Sequence, residues 1–252
     1  MHLSAKFLIT AAVLSTAACA TNIHRPEHQA DPYEDINRKI FAFNDSAYEN
    51  VFFPIIRGYR KITTPTIRQR ISNFTSNMDE PISTVNYMLQ LKPVETIKSA
   101  ARFVINSTLG LAGLFDVATG WGLGQEDATF NQTFASWCIA DGPYLVVPLL
   151  GSSSPRDLVG TTAEVIADPI YWTLRNDSSV YYKVAYPYTA IKYANKFEGY
   201  IDLYEDFKKN SVDLYATMRS AYLQRQSKYR CRFAAPETEA VYDFDFDEEF
   251  ED

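Results

Sequence analysis

Cysteine and histidine are the first places to look for chemistry in this 252-residue chain, and it has three of each. His2, His24 and His28 all precede residue 29. A Ser-His-Asp or Cys-His centre therefore has no histidine to draw on downstream, and a histidine-based zinc site has none either. His24 and His28 have helical spacing for a shared metal, but their polar surroundings read as a solvated linker. The carboxylate pairs Asp79-Glu80 and Glu126-Asp127 have no recognisable catalytic partner, and helix capping or surface placement explains them. Gly120, Gly122 and Gly124 are wrongly spaced for a dinucleotide loop, and no strand precedes them. The expectation is a non-enzyme with no catalytic residue, no metal and no cofactor.

The cysteines carry more information. His2 and Lys6 precede an apolar run, Phe7 to Ala18, too short to span a bilayer stably. Residues 1–18 read as a secretory signal peptide. Ser15-Thr16-Ala17-Ala18-Cys19 resembles a lipobox, although Thr16 stands where leucine is usual. Cys19 is thus a lipidation candidate, with ordinary cleavage at Ala18-Cys19-Ala20 as the competing reading. Export permits a disulfide between Cys138 and Cys231. Two separate buried thiols fit the residues equally well, because sequence does not give their separation.

Bulk properties narrow the class. The net charge of −7 is concentrated in residues 237–252, which hold nine of the 31 acidic side chains; the remaining 22 face 24 basic ones. No basic patch suggests nucleic acid. With 16 Phe, 17 Tyr and 3 Trp, the chain is rich in rings suited to boundaries between apolar and wet regions.

Helices must position most of this chain. Residues 19–30 read as a tether, after which Asp31-Pro32-Tyr33-Glu34 predicts an N-cap, a first-position proline and a helix carrying Ile36, Ile40, Phe41 and Phe43. Pro54 predicts a break or a membrane-surface corner within Val51 to Ile56. Tyr59 to Ile71 reads as a basic amphipathic stretch. Asp79-Glu80-Pro81 predicts a fresh helix start, ending near Leu91, and Pro93 opens another helix with Ile97, Ala100, Ala101, Val104 and Ile105 on one apolar face. Leu109 to Asp116 is an apolar, glycine-rich turn. Leu158 to Ile166 is helical, and a stripe from Phe197 to Tyr222 predicts long helices with a break at Gly199 or near Asn210. Val241 to Asp252 alternates acidic and aromatic residues, so 231–252 reads as a disordered acidic tail.

The least ordinary stretch runs from Trp137 to Gly160. Its apolar centre holds Pro143 and Pro148, which exclude a regular helix, and Gly142 and Gly151 bracket it. A buried loop or short strand is one reading; a glycine-hinged hairpin beside a lipid path is the other. Gly142, Pro143, Tyr144, Leu145, Pro148, Gly151, Arg156, Asp157 and Gly160 reproduce the pattern G-P-Y-L-x-x-P-x-x-G followed by R-D-x-x-G. Upstream, D-P-x-E-x-x-N-R begins at Asp31 and N-F-x-x-N at Asn73. Over roughly Asp31 to Tyr229 the chain resembles the MlaA (VacJ) family of Gram-negative outer-membrane lipoproteins. One departure is Cys138 and Ala140 at positions where that family often has glycine, which implies a stiffer hinge.

The resemblance implies a mostly α, ring-like, membrane-embedded lipoprotein with a central amphipathic channel, its helical domain spanning 31–230. It implies lipidation at Cys19, an outer-membrane location facing the periplasm, and phospholipid as cargo. Phospholipids mislocalised in the outer leaflet would pass to a soluble periplasmic lipid-binding protein, with trimeric porins as partners. Phe43 and Asn44 would set the resting state, and Gly142, Pro143, Tyr144, Pro148 and Gly151 would form the lipid-path hinge. Two other classes are a non-transporting structural or adhesion lipoprotein and a phospholipase-like hydrolase, the latter without a histidine base.

Overall fold

The computed structural model describes residues 31–168, 178–229 and 231–232. The signal peptide, Cys19, the tether and the acidic tail beyond Arg232 lie outside the described residues. Helix α1 (Glu34–Ala47) passes through a π-helical turn (Tyr48–Phe52) into α2 (Phe53–Ile62), followed by α3 (Pro65–Leu89) and α4 (Pro93–Thr108). Two short helices follow, α5 (Val117–Gly120) and α6 (Phe130–Ser136). An antiparallel hairpin, β1 (Leu145–Val147) and β2 (Gly151–Ser153), leads directly into α7 (Pro155–Ala167). Helices α8 (Ser178–Asn210) and α9 (Leu214–Ser227) complete the described fold.

Several helix boundaries follow the predicted chemistry. Pro93 opens α4, and Ser154 caps α7 by accepting the Asp157 N–H ahead of Pro155. Of the two proposed breaks in the last helical stretch, the chain uses the one after Asn210, where Asp213 caps α9; Gly199 lies inside α8.

Three predictions need correction. Helix α1 begins at Glu34 with Tyr33 as its cap residue, because the Asp31 carboxylate accepts the Tyr33 N–H in a preceding turn and also binds the Asn37 side chain. Pro54 does not break the chain into a corner. The π-helical turn just ahead places it in the first turn of α2, where its missing N–H is not needed. Pro81 starts no helix; it sits inside α3. Contacts to α4 on both sides of Pro81, Asn77 to Ser107 and Glu80 to Arg102 before it and Thr84 to Ser99 after it, hold α3 continuous against the local preference.

The pattern of burial is inverted relative to an ordinary helical domain. The predicted apolar face of α4 exists but points outward: Ile97 is 70% exposed, whereas Arg102 is 3% exposed. Val94 and Val104 share the outer face, and Ser99 and Asn106 the inner one. Exposed Ile55 and Ile62 on α2, Val85 and Met88 on α3, and Val159, Val165 and Ile166 on α7 extend the outward apolar surface. Inside, Glu80 accepts from Arg102 Nε at 2.6 Å and from Ser99 Oγ at 2.6 Å. Arg102 also reaches Thr119, the Leu123 carbonyl and Asp116. Such a buried pair is tolerated because every charge has a partner.

Among the described residues, buried apolar side chains gather into two clusters. Tyr48, Phe53, Ile201 and Tyr204 join α2 to α8, and Tyr144, Val146, Tyr215 and Tyr222 join the hairpin to α9. Arg57 to Glu205, Arg60 to Glu198 and Asp202, and Lys208 to Asp45 line the outer edge of the first cluster. These pairs range from half-buried to exposed, and the exposed ones fix register more than they stabilise. The packing order closes on itself: α1 on β1, α2 on α8, α8 on α3, α3 on α6, α6 on α7, and α7 continuous with the hairpin. The helices therefore form a ring. Among the described residues, no helix is long and apolar enough to cross a membrane.

Candidate functional site

The hairpin is held along its β1 edge by side chains of α1 rather than by a third strand. Asn37 Nδ2 donates to the Tyr144 carbonyl at 3.1 Å, and its Oδ1 accepts the Val146 N–H at 2.9 Å. Asn44 repeats the grip one stretch along: Nδ2 donates to the Val147 carbonyl at 2.9 Å, and Oδ1 accepts the Leu149 N–H at 2.7 Å. The hydroxyl of Tyr48 then donates to the Leu149 carbonyl at 3.1 Å. Seven helical residues rise about 10.5 Å, and three strand residues advance about 10 Å. The two amides thus meet the strand in step, and β1 has no free edge there.

Asp31 anchors this clamp. Its carboxylate accepts from Asn37 Nδ2 at 3.1 Å, from the Tyr33 N–H and from the Tyr215 hydroxyl, with Arg219 3.9 Å away. Burial pushes the carboxyl up, but donors from Tyr215, Asn37 and Tyr33 outweigh it and hold Asp31 below the usual aspartate value of 3.8. Across the hairpin, Tyr144 shares a 2.8 Å hydrogen bond with Ser152 and packs its ring on Tyr215 and Tyr222; burial pushes its phenol up.

The segment predicted as a hinge lies between α6 and β1. Arg156 Nη1 donates to the Ile139 carbonyl at 2.8 Å, Nη2 lies 3.1 Å from Asp141 Oδ1, and Nε donates to Asn131 at 2.8 Å. Ser154 Oγ donates to Asp141 at 2.7 Å. Gly142 has φ +80°, and a Cβ there would stand 2.9 Å from Pro155 Cγ. Only glycine meets both conditions. Cys138 takes φ +64° and is disulfide-bonded to Cys231, with Cα atoms 4.6 Å apart. That resolves the open pairing. It also ties residues 231–232 to the folded body, since Arg232 donates to the Ser136, Gln90 and Leu91 carbonyls.

Among the predicted site residues, Asn44 and Tyr144 take part in the clamp, and Gly142 lies in the segment between α6 and β1 against Pro155. Pro143 is half-buried between hinge and strand. Gly151, at φ +84°, closes the hairpin turn beneath Tyr48. Phe43 is separate: it is 56% exposed on the outer side of α1, while its neighbour Asn44 is 1% exposed. Pro148 lines a cavity of about 280 Å³ between α1 and β1, together with Tyr33, Ile36, Asn37, Ile40, Leu145, Val146 and Val147. Leu149 and Leu150 project at the hairpin tip, the latter 68% exposed. Sequence reasoning passed over Asn37 as a site residue. Its seven-residue spacing from Asn44 on a predicted helix was the available signal. The Arg102–Glu80 pair had none, because residues 22 apart must first be placed on adjacent helices.

Chemically, the arrangement offers a hydrogen-bonded interior, an apolar exterior and a strand with an apolar cavity beside it. Among the described residues, no group of three or more His, Cys, Asp or Glu is placed to hold a metal.

Residues 29–229 match the model of the family described as MlaA lipoprotein. The chain is 37% identical over 229 residues to an uncharacterized protein of Rickettsia bellii, covering 88% of this chain and 86% of that one. It is 28% identical over 233 residues to the intermembrane phospholipid transport system lipoprotein MlaA of Escherichia coli, covering 87% of each. A solved structure from work described as "Structural basis for maintenance of bacterial outer membrane lipid asymmetry" superposes with TM-score 0.64 at 30% identity, covering 80% of this chain and 99% of that chain.

Proposed function

The chain belongs to the MlaA lipoprotein family, and from that premise we propose that it removes mislocalised phospholipids from the outer leaflet of the outer membrane and so maintains lipid asymmetry. The observation that carries this reading is the inverted burial, with Ile97 exposed and Arg102 buried on the same helix. Exposed apolar surface on this scale marks a membrane or protein contact. A ring with an apolar rim and a polar interior suits a body set into one leaflet, with headgroups directed inward and acyl chains against apolar surface.

In this reading Cys19 carries the covalent lipid, and the ring faces the periplasm from the outer membrane. The ring encloses a central amphipathic channel. Phospholipid passes beside the α1–hairpin clamp to a soluble periplasmic lipid-binding protein, while trimeric porins hold the ring in the membrane. No bond of the lipid is made or broken, so the protein acts as a conduit and not as an enzyme.

The test is to delete the chain from its native cell and label surface phosphatidylethanolamine with a membrane-impermeant amine reagent. Surface labelling should rise several-fold and return to normal with the wild-type chain but not with Cys19→Ala. Unchanged labelling in the deletion would refute the proposal.

A further inference from the structure

We propose that the Cys138–Cys231 disulfide is a redox-responsive lock on the hinge of the β1–β2 hairpin, opened by thiol–disulfide exchange with a dithiol reductant. The hinge is fastened from two sides by different means. On the hairpin side, Arg156 and Ser154 hold Ile139 and Asp141, and Gly142 abuts Pro155. On the α6 side, local turn bonds run from Cys138 N–H to the Ala135 carbonyl and from Ile139 N–H to the Phe134 carbonyl. The long-range fastenings there are the disulfide, Arg232, whose N–H donates to the Ser136 carbonyl, and the Trp137 indole N–H, which donates to the Leu89 carbonyl at 3.1 Å.

The location distinguishes this bond from a general staple. Cys138 is the residue where the chain turns out of α6, and it does so in the left-handed region, at φ +64°. Its partner follows α9, whose Tyr215 and Tyr222 pack on the hairpin's Tyr144. One covalent bond therefore couples the root of the hairpin to the helix that packs on its side. Both cysteines are half-buried. Cys231 is flanked in sequence by Arg230 and Arg232.

The chemistry balances with a dithiol as co-reactant. Its first thiolate bonds to one Sγ while the Cys138–Cys231 bond breaks, and the other Sγ leaves as a thiolate. The second thiolate of the reductant then attacks the mixed disulfide, closing the reductant's own S–S bond and expelling the second cysteine as a thiolate. The reductant loses two electrons, and the two cysteines take up two protons. A freed Cys138 leaves the α6 side held by hydrogen bonds alone, and the hairpin can rotate about residues 138–140 once these open. That this motion admits or releases phospholipid rests on the function proposed above; the lock itself does not.

The experiment uses the full-length lipidated protein in detergent, with and without dithiothreitol. Mass spectrometry of the peptides containing Cys138 and Cys231 verifies reduction. Hydrogen exchange should then accelerate about tenfold or more at residues 139–151, with α4 unchanged as internal control. The double variant Cys138→Gly, Cys231→Ser should reproduce the fast exchange without reductant. Unchanged hairpin exchange after verified reduction would overturn the lock, as would equal acceleration in α4, which signals general destabilisation. Co-purified phospholipid is measured on the same samples. Faster hinge exchange with unchanged lipid content upholds the lock and refutes its link to lipid passage.

Discussion

Asn37 and Asn44 stand two helical turns apart on α1, and each amide bonds both a carbonyl and an N–H of the hairpin backbone, 2.7 to 3.1 Å away. Removing either side chain leaves one buried donor and one acceptor without partners, each costing about 1–3 kcal/mol. Asn37→Ala and Asn44→Ala should each lower stability by roughly 2–4 kcal/mol. Thermal unfolding in detergent measures the loss. Hydrogen exchange should locate it at Val146 for Asn37→Ala and at Leu149 for Asn44→Ala.

Phe43 is the opposite case. Its ring lies on the exposed side of α1 and belongs to neither buried cluster. Phe43→Ala should therefore change stability by no more than about 0.5 kcal/mol while lowering the amount of co-purified phospholipid. Unchanged lipid content would remove Phe43 from the lipid path, and a large loss of stability would show that the ring is packed.

Gly142→Ala places a Cβ 2.9 Å from Pro155 Cγ in a residue at φ +80°. The strain and the clash together should destabilise by about 1–3 kcal/mol. Gly122→Ala is the control, since it has the same sign of φ and open space around it, and isolates the φ effect alone. Unfolding midpoints should separate the two, with Gly142→Ala the lower.

Asp31 and Asp116 set the acid limit. Burial opposes ionisation at both, but the donors from Tyr215 and Asn37 to Asp31, and from Thr119 and Asn106 to Asp116, hold both below 3.8. A depressed carboxyl contributes stability that is complete above its unfolded value and is lost as pH falls through its folded value. Asp79 has the opposite sign: burial raises it despite Lys192, so protonating it on the way down from neutral adds stability. Stability should rise slightly on mild acidification and then fall below about pH 3.8. Asp31→Asn should flatten the final fall in an unfolding-versus-pH series. An identical slope would show that Asp31 is not a principal contributor.

Much of the helical frame was legible because its signals are local. Pro93 starts a helix wherever it stands before an apolar repeat, and Gly142 and Gly151 announced a non-helical hairpin between them. Pro81 misled because a local preference for starting a helix was overridden by contacts to α4, which sequence spacing does not reveal. The apolar face of α4 was correctly drawn, but periodicity is symmetric between a face that meets a core and one that meets lipid. Only the partners of Ser99, Arg102 and Asn106 fix which side is inside. Asn44 was legible as a site residue through family resemblance, yet its role as one half of a backbone clamp required the strand to be placed beside the helix. The Cys138–Cys231 pairing likewise depended on bringing residues 93 apart in sequence together.

The most direct test of the conduit is lipid extraction and mass spectrometry on the protein purified gently from membranes, in parallel with Cys19→Ala. A conduit anchored at Cys19 predicts near-stoichiometric intact phospholipid on the wild type and loss of membrane retention in the variant. Absence of phospholipid from the wild type would contradict the account in favour of a scaffold, and lysophospholipid with free fatty acid would contradict it in favour of a hydrolase.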